Sequence, residues 1–194
     1  MSDGVGSRLR LGVLLSGGGR TLQNLVDRAR DGRLRAEPVC VVADRPGALG
    51  IDRAQRAGLP VLCTKDMAET FDWLERHGVE LACLAGYLRL LRIPSVWQGR
   101  VINIHPSLLP KFGGKGMHGE RVHEAVLAAG EPESGCTVHL VDEVYDHGRV
   151  LLQARVPVVK GDDVSSLAAR VFAAECAAYP AGIEVWRVGG SIGS

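Results

Sequence analysis

The chain has 194 residues, with 23 Lys and Arg against 22 Asp and Glu, and a formal net charge of +1. A charge balance this close argues against a general nucleic-acid-binding surface. Hydrophobic residues make up 46% of the chain and charged residues 23%, which is typical of a globular protein. We expect a single domain over residues 1–194, with a core from about 9 to 187 and loose ends at 1–8 and 188–194.

Short apolar runs alternate with amphipathic stretches along most of the chain. Residues 11–15 form an apolar run that stops at a glycine cluster, after which apolar residues recur at helical spacing. Apolar strands that alternate with helices predict an α/β fold with a mainly parallel central sheet. The predicted strands are 11–15, 39–43, 61–63, 81–85, 101–105, 137–141 and 150–156, and the predicted helices are 21–31, 51–57, 67–77, 120–129 and 164–186, the last bent at Pro180.

Cysteine usage and hydropathy indicate a reducing, aqueous compartment. The five cysteines form no CxxC pair and lie mostly in apolar runs, which is typical of buried reduced thiols: Cys40, Cys63, Cys83, Cys136 and Cys176. No apolar stretch approaches the roughly 18 residues of a membrane span. We therefore expect a soluble cytoplasmic protein with neither membrane nor nucleic acid as a partner.

A glycine-rich loop, Ser16-Gly17-Gly18-Gly19-Arg20-Thr21, lies between the first predicted strand and the first predicted helix. Free backbone N–H groups and the helix dipole make such a loop an anion site, to which Arg20 and Thr21 can add donors. An ordinary βα turn is the simpler alternative. A dinucleotide fingerprint with Asp44 as the ribose ligand fits less well, because the third fingerprint position is Leu22 rather than glycine.

Asn103 and His105 lie two residues apart on a predicted strand that Pro106 ends, so both side chains project to one face. Ligands of open parallel sheets bind at this carboxyl edge, where an amide and an imidazole can together stabilise an oxygen that gains negative charge. A lone histidine is more often structural. The Asn-x-His pair at a strand end favours the functional interpretation.

Asp146 lies in a predicted turn before the last strand and can supply a carboxylate to His105. A carboxylate beside the imidazole would raise the pKa of His105 and keep it protonated, as an electrophilic catalyst requires. The remaining histidines show no metal-ligand spacing, so we assign no metal: His77, His118, His123, His139 and His147.

Four motifs occur in order along the chain: SGGGRTLQ, LAGYLRLL, NIHPSLLP and GCTVHLVDEVYDHG. In this order and at these separations, over residues 11–186, the chain resembles the phosphoribosylglycinamide formyltransferase branch of the folate-dependent formyltransferases. The resemblance implies a Rossmann-like three-layer fold of the formyltransferase type. We expect neither the second, C-terminal domain of methionyl-tRNA formyltransferases nor the extra N-terminal domain of formyltetrahydrofolate deformylases, whose corresponding motif is NIHHSFLP.

The resemblance implies a reaction of purine biosynthesis. The amine of glycinamide ribonucleotide would attack the formyl carbon of the co-substrate 10-formyltetrahydrofolate and form a tetrahedral oxyanion, without a covalent enzyme intermediate. Asn103 would bind the formyl oxygen and protonated His105 would stabilise the oxyanion. Asp146 would position His105 and, through water, help to take the amine proton.

The resemblance also implies binding residues. Gly19, Arg20 and Thr21 match the loop that holds the ribonucleotide phosphate, and Glu175 matches an acidic residue near that substrate. The folate would lie against Asn103 and two segments, largely through backbone groups: Leu88, Arg89, Leu90 and Leu91, then Asp142, Glu143, Val144, Tyr145 and Asp146.

The chain departs from the family pattern in four places. Arg20 and Thr21 stand where many members have Ser and Asn, and the loop 112–118 is about two residues longer than usual. Residues 64–80 lack an evident match to a ligand-contacting arginine, for which Lys65 or Arg76 can substitute. His147 and Arg149 replace part of a Gly-Gly-Pro-like turn beside Asp146.

Three alternatives remain open at this point. The chain could formylate another amine, such as an amino sugar nucleotide. It could bind folate or a nucleotide without catalysis, or, more remotely, bind NAD as an oxidoreductase. We expect a monomer or a homodimer.

Charge is unevenly distributed despite the near-neutral sum. Residues 81–119 contain five basic residues and no acidic one: Arg89, Arg92, Arg100, Lys111 and Lys115. We therefore expect this basic stretch to attract the anionic glutamate tail of the folate.

Overall fold

Seven strands form one sheet in the computed structural model, which describes residues 8–189. The strands are β1 Leu9–Leu15, β2 Ala36–Ala43, β3 Val61–Cys63, β4 Leu81–Leu84, β5 Val101–His105, β6 Glu133–Leu140 and β7 Val150–Pro157. Their order across the sheet is β3-β2-β1-β4-β5-β6-β7. Neighbours from β3 to β5 pair in parallel, whereas β6 pairs antiparallel with β5 and with β7. The predicted α/β fold with a mainly parallel sheet is confirmed.

Five helices connect or follow the strands: α1 Arg20–Arg30, α2 Leu49–Arg56, α3 Met67–Arg76, α4 Glu120–Ala128 and α5 Val164–Gly189. A short 3-10 helix at Ser95–Trp97 was not predicted. Pro180 lies inside α5, which continues to Gly189, past the predicted end of the core at 187. Of the two predicted loose ends, residues 1–7 and 190–194 lie outside the described residues.

Helices cover both faces of the sheet, which is why β1 is an almost continuous apolar run with every residue except Arg10 buried. One face packs against α1, α2, α4 and α5, whose buried side chains include Leu22, Leu25, Ala54, Val126 and Val171. The other face packs against α3 and the 3-10 helix, through Phe71, Leu74 and Trp97. The result is the expected three-layer arrangement.

The order of the strands reverses between β1 and β4, because β1 leads to β2 on one side and β4 leads to β5 on the other. Such a reversal opens a crevice at the carboxyl ends of the strands, where ligands of α/β proteins bind. The hydroxyl of Tyr179 on α5 is buried and donates to the carbonyl oxygens of Leu84 at 2.8 Å and Ile102 at 3.2 Å. This contact ties α5 to the ends of β4 and β5, beside the crevice.

Candidate active site

A cavity of about 670 Å³ opens at this crevice. Its wall combines the glycine loop after β1, the ends of β4 and β5, the loop before α4, the turn before β7 and one face of α5. The predicted site residues on this wall are Gly19, Arg20, Thr21, Leu88, Asn103, His105, Tyr145, Asp146 and Glu175. Residues from distant parts of the sequence thus meet in one cavity.

The β5 strand places Asn103 and His105 on one face at its carboxyl end, as its two-residue period predicts. The His105 side chain is buried, with 3% of the residue exposed, and its Nε2 donates to the carbonyl oxygen of Phe112 at 2.8 Å. That bond leaves Nδ1 on the opposite edge of the ring, 3.4 Å from Oδ2 of Asp146. The imidazole is therefore held between a carbonyl oxygen and a carboxylate.

Asp146 occupies a strained position, with a φ of 54° that few non-glycine residues adopt. Its Oδ2 accepts from the backbone N–H of Gly114 at 2.9 Å, and its Oδ1 accepts from Nδ2 of Asn103 at 3.4 Å. Burial raises the pKa of Asp146, but hydrogen bonding to His139 and the charge of His105 outweigh it and lower that pKa below its ordinary value. The carboxylate is therefore ionised, and each of its two oxygens accepts a hydrogen bond.

The predicted rise in the pKa of His105 is wrong for the free site. Burial, which disfavours the charged imidazolium, lowers the pKa of His105, and the opposing effects of Asp146 and the Phe112 carbonyl do not restore it. The nearby carboxylate can be inferred from the sequence, but the burial of a side chain at a strand end depends on the rest of the fold. Burial thus works against the charged form of His105, and a ligand that brings further negative charge would favour that form.

His139 is a site residue that the sequence analysis missed. It lies on β6 directly opposite Asn103 in the antiparallel pairing with β5, and 2% of it is exposed. Its Nε2 lies 3.2 Å from Nδ2 of Asn103 and 3.7 Å from Oδ1 of Asp146. Its spacing from the other histidines matches no metal site, and, apart from the motif around it, nothing else in its local sequence marks it. The signal that could have found it is its place in the GCTVHLVDEVYDHG motif.

The glycine loop turns tightly into α1 at Gly19, whose φ of 69° favours glycine. A Cβ at Gly19 would also collide with the backbone of Gly50, so the loop packs directly against the start of α2. Arg20 is the first residue of α1, and its guanidinium lies over the ring of Phe172 at 4.1 Å from the ring centre. The stacking holds the charge of Arg20 at the cavity wall.

Glu175 lies on α5 and lines the same cavity as the glycine loop. Burial raises its pKa from 4.5 to about 7, against the opposing charge of Arg20. Within residues 8–189 the structure gives the Glu175 carboxylate no hydrogen-bond partner. A half-buried carboxylate that titrates near neutrality and lines a cavity is a candidate for ligand binding.

The two predicted folate segments are only partly on the cavity wall. Leu88 borders the cavity, and its N–H donates to the side-chain oxygen of Ser16 at 3.0 Å. The side chain of Leu91 packs in the core and only 1% of the residue is exposed, so its predicted folate contact can involve only its backbone groups. Of the second segment, Tyr145 and Asp146 line the cavity, whereas the remaining predicted folate contacts do not: Arg89, Leu90, Asp142, Glu143 and Val144.

The basic residues of the stretch 81–119 lie in different surroundings in the structure. Arg100 donates to the carbonyl oxygens of Glu80 at 3.0 Å and Val79 at 2.8 Å. Lys111 pairs with Glu131 at 2.8 Å. Arg89 lies instead beside Lys65, whose carbonyl oxygen is 3.4 Å from an Arg89 nitrogen. Of the five basic residues, Lys111 is thus paired with an acidic residue and Arg100 is held against backbone carbonyl groups, whereas Lys115 lines the cavity, and the attraction of the glutamate tail stays a prediction.

Two further findings bear on the kind of site. Within residues 8–189 no group of three or more His, Cys, Asp or Glu residues could hold a metal ion. None of the helices in that range is long and apolar enough to cross a membrane.

The fold and the site together define an α/β protein that can stabilise negative charge on an oxygen beside an anion-binding loop. The sequence model of the formyl transferase family matches residues 9–183. The chain therefore belongs to the formyl transferase family.

Some proteins similar to this chain are several times its length, and others are closer to it in length. The trifunctional purine biosynthetic protein adenosine-3 of Drosophila pseudoobscura pseudoobscura is 48% identical over 186 residues, which cover 89% of this chain and 13% of that protein. The chloroplastic phosphoribosylglycinamide formyltransferase of Arabidopsis thaliana is 38% identical over 184 residues, or 89% of this chain and 63% of that protein. The crystal structure of glycinamide ribonucleotide transformylase 1 from Symbiobacterium toebii has a TM-score of 0.83 and 41% identity, covering 92% of this chain and 87% of that chain.

Proposed function

We propose that this chain transfers the formyl group of 10-formyltetrahydrofolate to the amine of glycinamide ribonucleotide, a reaction of purine biosynthesis. The observation that carries the proposal is the meeting of Asn103, His105 and Asp146 in one cavity with the glycine loop and Glu175. One end of this cavity suits an oxyanion and the other suits a phosphate. Relatives that carry the name of this reaction support the same assignment.

The formyl end of the cavity supplies the catalytic groups. Asn103 donates from its amide to the formyl oxygen, and His105 stabilises the oxyanion as an imidazolium. Although the pKa of His105 is lowered in the free site, negative charge that develops on the formyl oxygen draws a proton to this ring. Asp146, 3.4 Å from Nδ1, holds the ring in place and favours its charged form. The attack needs no enzyme nucleophile and no metal.

The opposite end of the cavity binds the ribonucleotide. The backbone N–H groups after Gly19 and the side chains of Arg20 and Thr21 donate to the phosphate. The Glu175 carboxylate accepts from hydroxyl or amide groups of the same substrate. A phosphate fixed at one end and a carboxylate partway along set the distance at which the amine reaches the formyl carbon.

The folate enters between the end of β4 and the turn before β7. Leu88 and Tyr145 supply apolar surface to the pterin, and the backbone groups of Leu88, Tyr145 and Asp146 on the cavity wall supply hydrogen bonds. Arg89 and Lys65, which lie side by side, are the basic residues placed to attract the glutamate tail. Here 10-formyltetrahydrofolate is a co-substrate that leaves as tetrahydrofolate.

We further propose that the chain acts as one formyltransferase domain with a core over about 9–187, since the family match spans 9–183. Its two small-molecule substrates are its proposed partners. The monomeric or homodimeric state and the cytoplasmic location stay predictions.

A panel of amine acceptors tests the proposal. Each acceptor is incubated with the protein and 10-formyltetrahydrofolate, and release of tetrahydrofolate is followed together with the mass of the formylated product. We expect turnover with glycinamide ribonucleotide and little with its dephosphorylated form. Turnover with an amino sugar nucleotide but not with glycinamide ribonucleotide would contradict the proposal, as would folate binding without transfer to any amine.

A further inference from the structure

Arg53 on α2 is a charged residue outside the cavity that contacts the glycine loop. Its Nε donates to the carbonyl oxygen of Gly18 at 2.9 Å. Within residues 8–189 the Arg53 guanidinium makes no ion pair with an acidic side chain. The side chain is therefore committed to one backbone carbonyl of the loop that binds the phosphate in the proposed function.

The loop makes a second backbone contact with α2. The N–H of Gly50, in the first turn of α2, donates to the carbonyl oxygen of Gly17 at 3.0 Å. The N-cap residue of α2, Ala48, offers no side-chain cap, so the Gly17 carbonyl satisfies one of the free N–H groups at the start of this helix. A Cβ at Gly50 would lie 3.1 Å from that carbonyl oxygen and 2.7 Å from the Leu15 side chain. Two consecutive carbonyl groups of the loop are thus turned toward α2.

These two contacts set the direction of the N–H groups that follow the carbonyls. The peptide bonds of the loop are trans, and the N–H of a planar trans peptide points away from the carbonyl of the same peptide unit. The N–H groups of Gly18 and Gly19 therefore point away from α2. None of the α2 residues, all of which the structure describes, lines the cavity, whereas Gly17, Gly18 and Gly19 do. Among residues 8–189 these two N–H groups have no hydrogen-bond partner, so they are free donors on the cavity side.

We propose that Arg53 is a positioning residue for the phosphate of the ribonucleotide: it holds the Gly18 carbonyl against α2, so that the N–H groups of Gly18 and Gly19 face the phosphate. This inference rests on the proposed function. Glycine peptide units rotate more freely than others, so three in a row need an external contact to keep one orientation. Fixing them before binding removes an ordering cost that the phosphate contacts would otherwise have to offset. Arg53 acts through Gly18 and does not touch the reacting atoms.

The primary test compares two neutral replacements, Arg53→Gln and Arg53→Met. The side-chain nitrogen of Gln is as many bonds from Cα as Nε of Arg, so Gln loses the charge but keeps the donor, whereas Met loses both. We expect Arg53→Met to raise KM for glycinamide ribonucleotide about 10-fold with kcat unchanged, since one hydrogen bond from a charged group is lost. Arg53→Gln should keep a KM close to that of wild type. Equal KM values in the two variants, whether raised or normal, would overturn the proposal.

Arg56→Met is the matched control. Arg56 lies on the same helix, one turn further on, and within the described part of the chain it makes no hydrogen bond or ion pair. Its replacement removes the same charge from α2 and should leave KM unchanged. Dephosphorylated substrate, tested as a competitive inhibitor, should bind Arg53→Met as it binds wild type, because the loop donors act on the phosphate alone. An equal loss with and without the phosphate, or the same rise of KM in Arg56→Met, would contradict the proposed role.

A second measurement does not depend on turnover. Wild type is titrated with inorganic phosphate, and the backbone amide resonances are followed by NMR. We expect the amide protons of Gly18 and Gly19 to move downfield, while that of Gly32, which does not border the cavity, stays in place. Arg53→Met should need about 10-fold more phosphate for the same shifts.

Unmoved resonances of Gly18 and Gly19, or equal titrations of wild type and Arg53→Met, would overturn the inference. If wild type shows no turnover with any amine, the proposed function fails, while this titration still decides whether Arg53 orients the donors of the loop.

Discussion

The amide of Asn103 and the imidazole of His139 face each other across β5 and β6, with Nδ2 and Nε2 3.2 Å apart. Nδ1 of His139 donates to the Leu140 carbonyl oxygen at 2.8 Å, which leaves Nε2 on the other side of the ring to accept from the Asn103 amide. This arrangement fixes which end of the Asn103 amide is the NH₂ group. One N–H goes to His139, and the other makes only a 3.4 Å contact with Asp146 and is available to a formyl oxygen.

Replacing His139 should therefore impair catalysis through Asn103. We expect His139→Ala to lower kcat by up to about 10²-fold, because the amide can flip and present its oxygen to the substrate oxygen. The double variant Asn103→Ala/His139→Ala should be no slower than Asn103→Ala alone, since both changes remove one interaction. Steady-state kinetics of the three variants measures this.

The control for this prediction is His77→Ala. His77 stacks on Trp73 with ring centres 4.2 Å apart and does not border the cavity, so kcat should hardly change. Fully additive losses in the double variant would show that His139 does not act through Asn103.

Gly148 controls the turn that carries Asp146. A Cβ at this position would overlap the backbone carbonyl oxygen of Leu140 at the end of β6. We expect Gly148→Ala to destabilise the protein by roughly 1–3 kcal/mol and to lower kcat as well, because the turn must shift and take Asp146 away from His105. Thermal unfolding and kcat measure the two effects. The control is Gly189→Ala, because a Cβ at that position meets open space. Equal losses of stability and kcat in the two variants would refute the role of the turn.

Glu175 should make ribonucleotide binding depend on pH. Its pKa, raised to about 7 by burial, means that the carboxylate protonates as the pH falls through neutrality and then loses its negative charge. KM for glycinamide ribonucleotide should therefore rise below about pH 7. The pH dependence of kcat at saturating substrate is set by groups other than Glu175. In Glu175→Gln, KM should be higher and independent of pH over this range. A KM that still rises in the variant would assign the titration to another residue.

The stacked Arg20 should contribute to recognition of the phosphate. Arg20→Lys keeps the charge but loses the planar fork over Phe172, so KM for the ribonucleotide should rise about 10-fold, since a charged hydrogen bond contributes about 1.5–3 kcal/mol. The same variant should bind the dephosphorylated substrate as wild type does. Arg30→Lys, at the other end of α1 and away from the cavity, is the control. An equal loss with both substrates would mean that Arg20 acts on something other than the phosphate.

Much of the fold was predictable because its signals are local. Residues 81–85 are an uninterrupted apolar run, and residues 101–105 combine three β-branched apolar residues with Asn103 and His105; both segments form strands close to those bounds. The start of β6 at Glu133 was missed, since Glu133, Ser134 and Gly135 have no apolar pattern and become a strand by pairing with β7. The 3-10 helix at Ser95–Trp97 depends likewise on packing, through the buried ring of Trp97.

Some residues of the candidate site could likewise be predicted from local sequence, whereas others depend on the assembled fold. Asn103 and His105 were predictable because a two-residue spacing at a strand end requires no knowledge of the rest of the chain. His139 was not, because only the antiparallel register places it opposite Asn103. The pKa of His105 was predicted in the wrong direction for a related reason: burial is a property of the assembled fold, and it outweighs the Asp146 carboxylate.

The most direct test of the central claim compares the rate of tetrahydrofolate release by wild type, Asn103→Ala and His105→Ala, with glycinamide ribonucleotide and 10-formyltetrahydrofolate both saturating. The account predicts turnover by wild type and a loss of at least about 10²-fold in kcat for each variant, the effect of removing one oxyanion donor. No turnover by wild type, or variants that match its rate, would contradict it.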